Sequence, residues 1–98
     1  MTHAPTHILK CRTIAFQAVI EKTKTHDIRS TLDCEYAVGD VLHYQEWDDA
    51  TSSYTGRNAW VTVTFVDQFS TDAVALSIHL SHFTDRPPSG HYMKTESF

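Results

Sequence analysis

The chain has 98 residues, 12 Asp and Glu against 8 Lys and Arg, and a formal net charge of −4, enough length for one domain with one core and no more. With 41% hydrophobic and 20% charged residues it is too apolar for wholesale disorder, and no apolar run approaches the ~20 residues that cross a bilayer. Met1-Thr2-His3-Ala4-Pro5-Thr6 has no basic start leading into an apolar stretch, so no secretory leader, membrane contact or disulfide-stapled secreted fold is expected.

Ile8-Leu9-Lys10-Cys11 is long enough for a short edge strand. Thr13 is placed to cap a helix over 13–22, in which Ala15, Phe16, Val19 and Ile20 recur at three- and four-residue spacing. Lys22 and Lys24 follow at the negative pole of that helix. Thr25-His26-Asp27-Ile28-Arg29 alternates as a strand does: Thr25, Asp27 and Arg29 share one face, His26 and Ile28 the other. Hydrophobicity assigns Ile28 to the core and turns Asp27 and Arg29 away from it.

After a loop at 30–39, Val41 to Trp47 and Ala59 to Val66 read as two strands of a long hairpin joined by a turn-rich connection at 48–57. Val61, Val63 and Phe65 share the inner face and Trp60 falls in the opposite phase. Val74, Leu76, Ile78 and Leu80 define a further half-buried strand. Residues 1–80 form the domain; 81–98, broken by Pro87-Pro88 and Gly90, read as an irregular or disordered tail with Phe83 and Tyr92 packing back. The expected fold is α+β: one main helix flanking four or five mostly antiparallel strands that curl into a small barrel. Cys11 and Cys34 read as reduced, partly buried thiols of a cytoplasmic protein.

Charge is unevenly placed. Residues 1–30 sum to +3 and residues 31–58 to −5. The acidic whole argues against indiscriminate nucleic-acid coating and leaves room for a local basic patch in the first third. Phosphate-cradling glycine loops, nucleophile elbows and zinc-helix motifs are missing. The seven histidines read as chance surface residues, and neither a metal nor any other cofactor is expected.

Lys22-Thr23-Lys24-Thr25-His26-Asp27-Ile28-Arg29 concentrates charge at one helix-to-strand junction. It is either a solvated turn with a local Asp27–Arg29 ion pair or a cleft for an anion or a base. In the cleft reading Arg29 offers a planar fork, and Asp27 fixes it or accepts from an amino group. Trp47, Tyr54 and Trp60 flank the hairpin connection that carries Arg57. They either close a barrel end or wall a stacking surface, with Arg57 reaching a phosphate.

The run Ala18 to Arg29, then Val38-Gly39-Asp40-Val41-Leu42, Glu46-Trp47-Asp48, Tyr54-Thr55-Gly56-Arg57 and Val74 to Ile78 resembles the ASCH domains of the PUA-like superfamily. The likeness is to a small uncharacterised subfamily frequent in bacteriophages and prophages. His7 and Lys10 match its opening His-x-x-Lys. The resemblance implies a PUA-like β-barrel with a flanking helix and a cleft beside the helix–strand junction that takes RNA or nucleotide-like ligands. The family's Gly-x-Lys-x-x-Glu-x-Arg falls on Lys22, Lys24, Asp27 and Arg29, with Lys22 in place of the glycine and Asp27 in place of the glutamate.

Relatives resembling N4-acetylcytidine amidohydrolases use a lysine, a threonine nucleophile and a distant glutamate. Lys24 matches the lysine, Asp27 stands at the threonine position, and Thr25 lies two residues earlier on the same face. The reading carried forward is an RNA- or nucleotide-binding module whose cleft is lined by Lys24, Asp27 and Arg29. Lys10 and Arg57 serve as phosphate contacts and Trp47 as a stacker. Its rivals are a hydrolase on modified nucleosides or RNA, with Lys24, Asp27 and Thr25 as candidates, and a phage accessory protein that docks a host protein. A monomer or weak dimer is expected.

Overall fold

The computed structural model describes residues 5–84. They form β1 (Thr6–Arg12), α1 (Thr13–Ile20), β2 (His26–Ser30), β3 (Val41–Asp48), β4 (Ser53–Gln68) and β5 (Ala73–Thr84). All strands join one sheet in the order β1-β3-β4-β5-β2. β1 runs parallel to β3, and the ladders β3–β4, β4–β5 and β5–β2 are antiparallel. The sheet curls strongly into a half-barrel with one short helix, an α+β, mostly β fold. Among the described residues no ladder joins the edge strands β1 and β2, so a mouth is left between them.

The curl has a local cause. β4 is 16 residues long, and its pairing slips between Trp60 and Val61 and between Val63 and Phe65; such bulges bend a strand and raise its twist. The concave side collects the apolar phase of each strand: Leu42 and Tyr44 from β3, Ala59, Val61 and Val63 from β4, and Val74, Leu76 and Ile78 from β5. α1 lies across this side and seals it with Phe16 and Val19, both essentially without solvent contact. No helix of the described residues is long and apolar enough to cross a membrane.

Several local expectations change. α1 stops at Ile20, not 22, because Lys22 adopts φ +65°. Its N–H bonds Val19 O at 3.0 Å and that of Thr23 bonds Ala18 O at 3.0 Å, the paired bonds of a Schellman helix end with a lysine where glycine is favoured. Thr13 does not cap the helix; Arg12 occupies that position without a side-chain bond, and the Thr13 hydroxyl donates to Trp47 O at 3.3 Å.

The faces of β2 are partitioned as the alternation indicates but inverted in depth. Asp27 is buried and Arg29 half-buried, while Ile28 is exposed. The bulge after Val63 likewise turns Phe65 out to solvent.

β4 starts at Ser53, so the expected connection over 48–57 shrinks to a turn and Tyr54 to Arg57 belong to the strand. β5 continues to Thr84, past the expected start of the tail at 81; the remainder of that segment, Tyr92 included, lies outside the described residues. Cys11 is buried, Cys34 half-buried, and the two are not bonded to each other.

Candidate functional site

β2 is an edge strand, so the side chains it turns inward stand at the mouth of the half-barrel. Tyr44, at the middle of β3, is fully buried on the concave side and donates its hydroxyl to Asp27 Oδ2. Arg29 Nε donates to the same oxygen at 3.0 Å. An unpaired carboxylate at 9% exposure would be costly, and these two donors are why the sequence tolerates one there. Burial lifts the Tyr44 phenol far above its ordinary range, and the adjacent Asp27 charge adds to it. Burial works against the Arg29 charge, but Asp27 outweighs it and the guanidinium is held more firmly protonated than usual.

Asp27 and Arg29 keep capacity to spare. Among the described residues, Asp27 Oδ1 and both Nη groups of Arg29 have no hydrogen-bond partner, and the Arg29 side chain remains 26% exposed. The mouth therefore sets an anionic acceptor beside planar cationic donors, both held from behind.

Other groups close the walls. Cys11 lies on the inner face of β1, and burial pushes its thiol up to about 11, with Asp27 adding and Arg29 and Lys24 opposing. From the loop before β3, Tyr36 packs against His7 with ring centres 4.6 Å apart, and burial together with Cys34 pushes its phenol up to about 12. His7 Nε2 donates to buried Asp40 at 2.9 Å, and Asp40 also accepts from Ala37 N at 3.0 Å. This pair ties the loop to β1, so His7 has a fastening role.

Lys24 stands apart from the pair. Its Nζ donates to His26 O at 2.8 Å. Its side chain lines a groove of about 600 Å³ between the first turn of α1 and the Asp48-Asp49 end of β3, a groove that Asp27 and Arg29 do not line. Thr25 is exposed, and its hydroxyl has no partner among the described residues. No hydrogen bond joins Lys24, Thr25 and Asp27 to one another, so a nucleophile in contact with its base, the usual mark of covalent catalysis, is not formed by this trio.

Arg57 sits elsewhere, in a buried network. Gln45 pairs with Asn58 and Trp47 with Tyr54, so Thr55, Gly56 and Arg57 bulge opposite the single residue Glu46. Gly56 takes φ +94° to make that turn. Arg57 Nε and Nη2 grip the two Glu46 oxygens at 2.8 and 3.0 Å, Thr55 Oγ1 donates to Glu46 at 2.6 Å, and the guanidinium lies 4.9 Å from the Phe16 ring centre. The Arg57 hydrogen bonds hold the Glu46 carboxyl below its usual range against the opposing pull of burial. This fork is held to the fold beneath α1, and Arg57 also lines a hollow with Gln45, Tyr54, Gly56 and Asn58.

Lys10 and Trp47 do come together, but on the convex side. Lys10 Nζ lies 4.0 Å from the Trp47 ring centre, Tyr54 meets Trp47 edge-on at 5.0 Å, and Trp47 Nε1 donates to Asp49 at 3.0 Å. The expected single cleft is thus four places: Asp27 and Arg29 at the mouth, Lys24 in a neighbouring groove, Arg57 on Glu46 beneath α1, and Lys10 with Trp47 across the sheet. Tyr44 and Glu46, outside the expected set, share the inward phase of Leu42 on β3, and that phase is the sequence signal that marks them. Among the described residues no group of three or more His, Cys, Asp or Glu is placed to hold a metal ion.

Residues 6–78 match the family model of a domain of unknown function (DUF3850), and the chain belongs to that family. A search of the curated proteins finds no match to it.

Proposed function

We propose that this DUF3850 domain is an ASCH-like module of the PUA type that binds RNA or a nucleotide-like ligand, one nucleotide entering the mouth between β1 and β2. The observation that carries this reading is the Asp27–Arg29 edge. Asp27 Oδ1 and the Arg29 Nη groups lack partners within the described protein, while Asp27 Oδ2 and Arg29 Nε are already bound and so fix both groups in place. A nucleobase edge carries adjacent N–H and C=O or ring-nitrogen groups, which is the complement of an acceptor set beside a donor fork. Lys24, at the end of the neighbouring groove, supplies positive charge for the phosphate. The ordered series of short motifs and the half-barrel with its single helix support the ASCH-like assignment.

The test is calorimetric titration of the protein with a panel of nucleoside monophosphates and short RNAs at low and moderate salt. Arg29→Ala is expected to weaken binding about 10- to 100-fold, the value of a charge-assisted hydrogen bond, and Lys24→Ala to act mainly through the salt dependence. Affinity unchanged in both variants overturns the reading. Product formation from acetylated cytidine or labelled RNA would replace it with the hydrolase.

A further inference from the structure

The convex face of β1, β3, β4 and β5 is built from the outward phase of each strand, and the register sets these residues in rows. Ile8, His43, Trp60 and His82 form one row; Lys10, Gln45, Asn58 and Thr84 the next; Arg12, Trp47 and Tyr54 the last. In the first row three rings stack across three strands. His43 and Trp60 lie 4.5 Å apart at 16°, and Trp60 and His82 lie 4.4 Å apart at 11°. His43 is held by Nε2 donating to Asn58 Oδ1 at 2.8 Å. β2 pairs with β5 only over Ala73 to Ser77, so among the described residues no strand flanks His82, which is exposed and forms the open end of the stack.

The last two rows carry the second aromatic group, Lys10 over Trp47 with Tyr54 edge-on. Between the two groups, Gln45, Tyr54, Gly56, Arg57 and Asn58 line a hollow of about 280 Å³, close to the lower bound of small-ligand pockets at ~300 Å³. Tyr54 is 50% exposed there.

Charge selects the occupant. The chain is acidic, yet no outward position in these rows is Asp or Glu, while Lys10 and Arg12 are cationic; Asp49, beyond the last row, bonds Trp47 Nε1 at 3.0 Å and Arg12 Nε at 3.3 Å. Flat rings, the Gln45 amide, which can both donate and accept, and the Lys10 cation over a ring form the chemistry that holds unpaired bases on a phosphate backbone.

We infer that this convex face binds single-stranded nucleic acid. A base enters the hollow beside Tyr54 with Gln45 at its edge, the backbone passes Lys10 and Arg12, and a further base stacks on His82. The surface shares no residue with the Asp27–Arg29 mouth, and each inference stands without the other.

Both tryptophans of the chain, Trp47 and Trp60, lie on this face, so their fluorescence reports binding directly. The experiment titrates the full chain with a single-stranded oligonucleotide of about 12 nucleotides at about 50 mM salt, following tryptophan quenching and anisotropy together. Lys10→Glu and Tyr54→Ala, both at exposed positions, are expected to weaken binding by about 5-fold or more. Lys22→Glu at the helix end is expected to leave it unchanged, and a duplex of the same length to bind more weakly. No binding by the wild type, equal loss in Lys10→Glu and Lys22→Glu, or equal binding of duplex and single strand overturns the inference. Loss in Arg29→Ala with full binding in Lys10→Glu moves the oligonucleotide to the mouth, overturning this inference and leaving that of Arg29 standing.

Discussion

Tyr44, on an interior strand of the sheet, reaches across the concave side to hold the carboxylate of Asp27 on its far edge. One hydroxyl thereby fixes the acceptor that in turn fixes Arg29. Tyr44→Phe keeps the ring in the core and deletes only this donor. It is expected to cost about 1–3 kcal/mol, read as a lower urea midpoint at unchanged slope, and to weaken any ligand whose binding Arg29→Ala weakens. An unaltered midpoint would separate Tyr44 from the support of the site.

The Glu46–Arg57 pair makes a second, independent claim. Arg57→Leu leaves a buried carboxylate without its main partner and is expected to cost about 3–5 kcal/mol, whereas Glu46→Leu combined with Arg57→Leu recovers much of that loss. Chemical denaturation of the three variants measures both figures. The Glu46 carboxyl is held below its ordinary 4.5, so its stabilisation is present above that pH and fades as pH falls through the lower folded value. Acid unfolding of wild type should therefore be steeper than that of the double variant.

At the alkaline end the sign reverses. Cys11 is pushed up to about 11 from 9.0 and Tyr44 is raised from 10.0, so both stay protonated in the fold after they would ionise in the unfolded chain. Their contribution is complete below pH 9 and declines as pH rises above it. Thermal melts from neutral to alkaline pH should show that decline, flattened between pH 9 and 11 in Cys11→Ala. At mildly alkaline pH a thiol reagent should label half-buried Cys34 well before Cys11, whose thiolate is suppressed; equal labelling rates would contradict the buried placement.

Lys22 occupies a left-handed position at the end of α1. Lys22→Gly relieves that conformation and is expected to raise stability by about 0.5–1 kcal/mol, while Lys22→Val lowers it. Differential scanning calorimetry of both variants decides the point.

Period-two patterning made β3, the middle of β4 and most of β5 legible, and it placed Trp60 on the outer side. Depth at β2 was not legible, because hydrophobicity alone put Ile28 inside. What decides the matter is a hydroxyl from Tyr44, distant in sequence, that makes a buried Asp27 tolerable. Bulges hid the rest. Gly56 marks the place where Arg57 turns onto Glu46, but a single glycine does not show which residue the bulge will face. Likewise the bulge between Val63 and Phe65 reverses a face that strict alternation assigns to the core.

The most direct measurement follows the arginine side-chain signals by nitrogen-15 NMR while the nucleotide bound most tightly in the calorimetric panel is added. The Arg29 guanidinium signals should shift progressively to saturation. Arg29 signals that remain still while the nucleotide binds would contradict the account of the mouth.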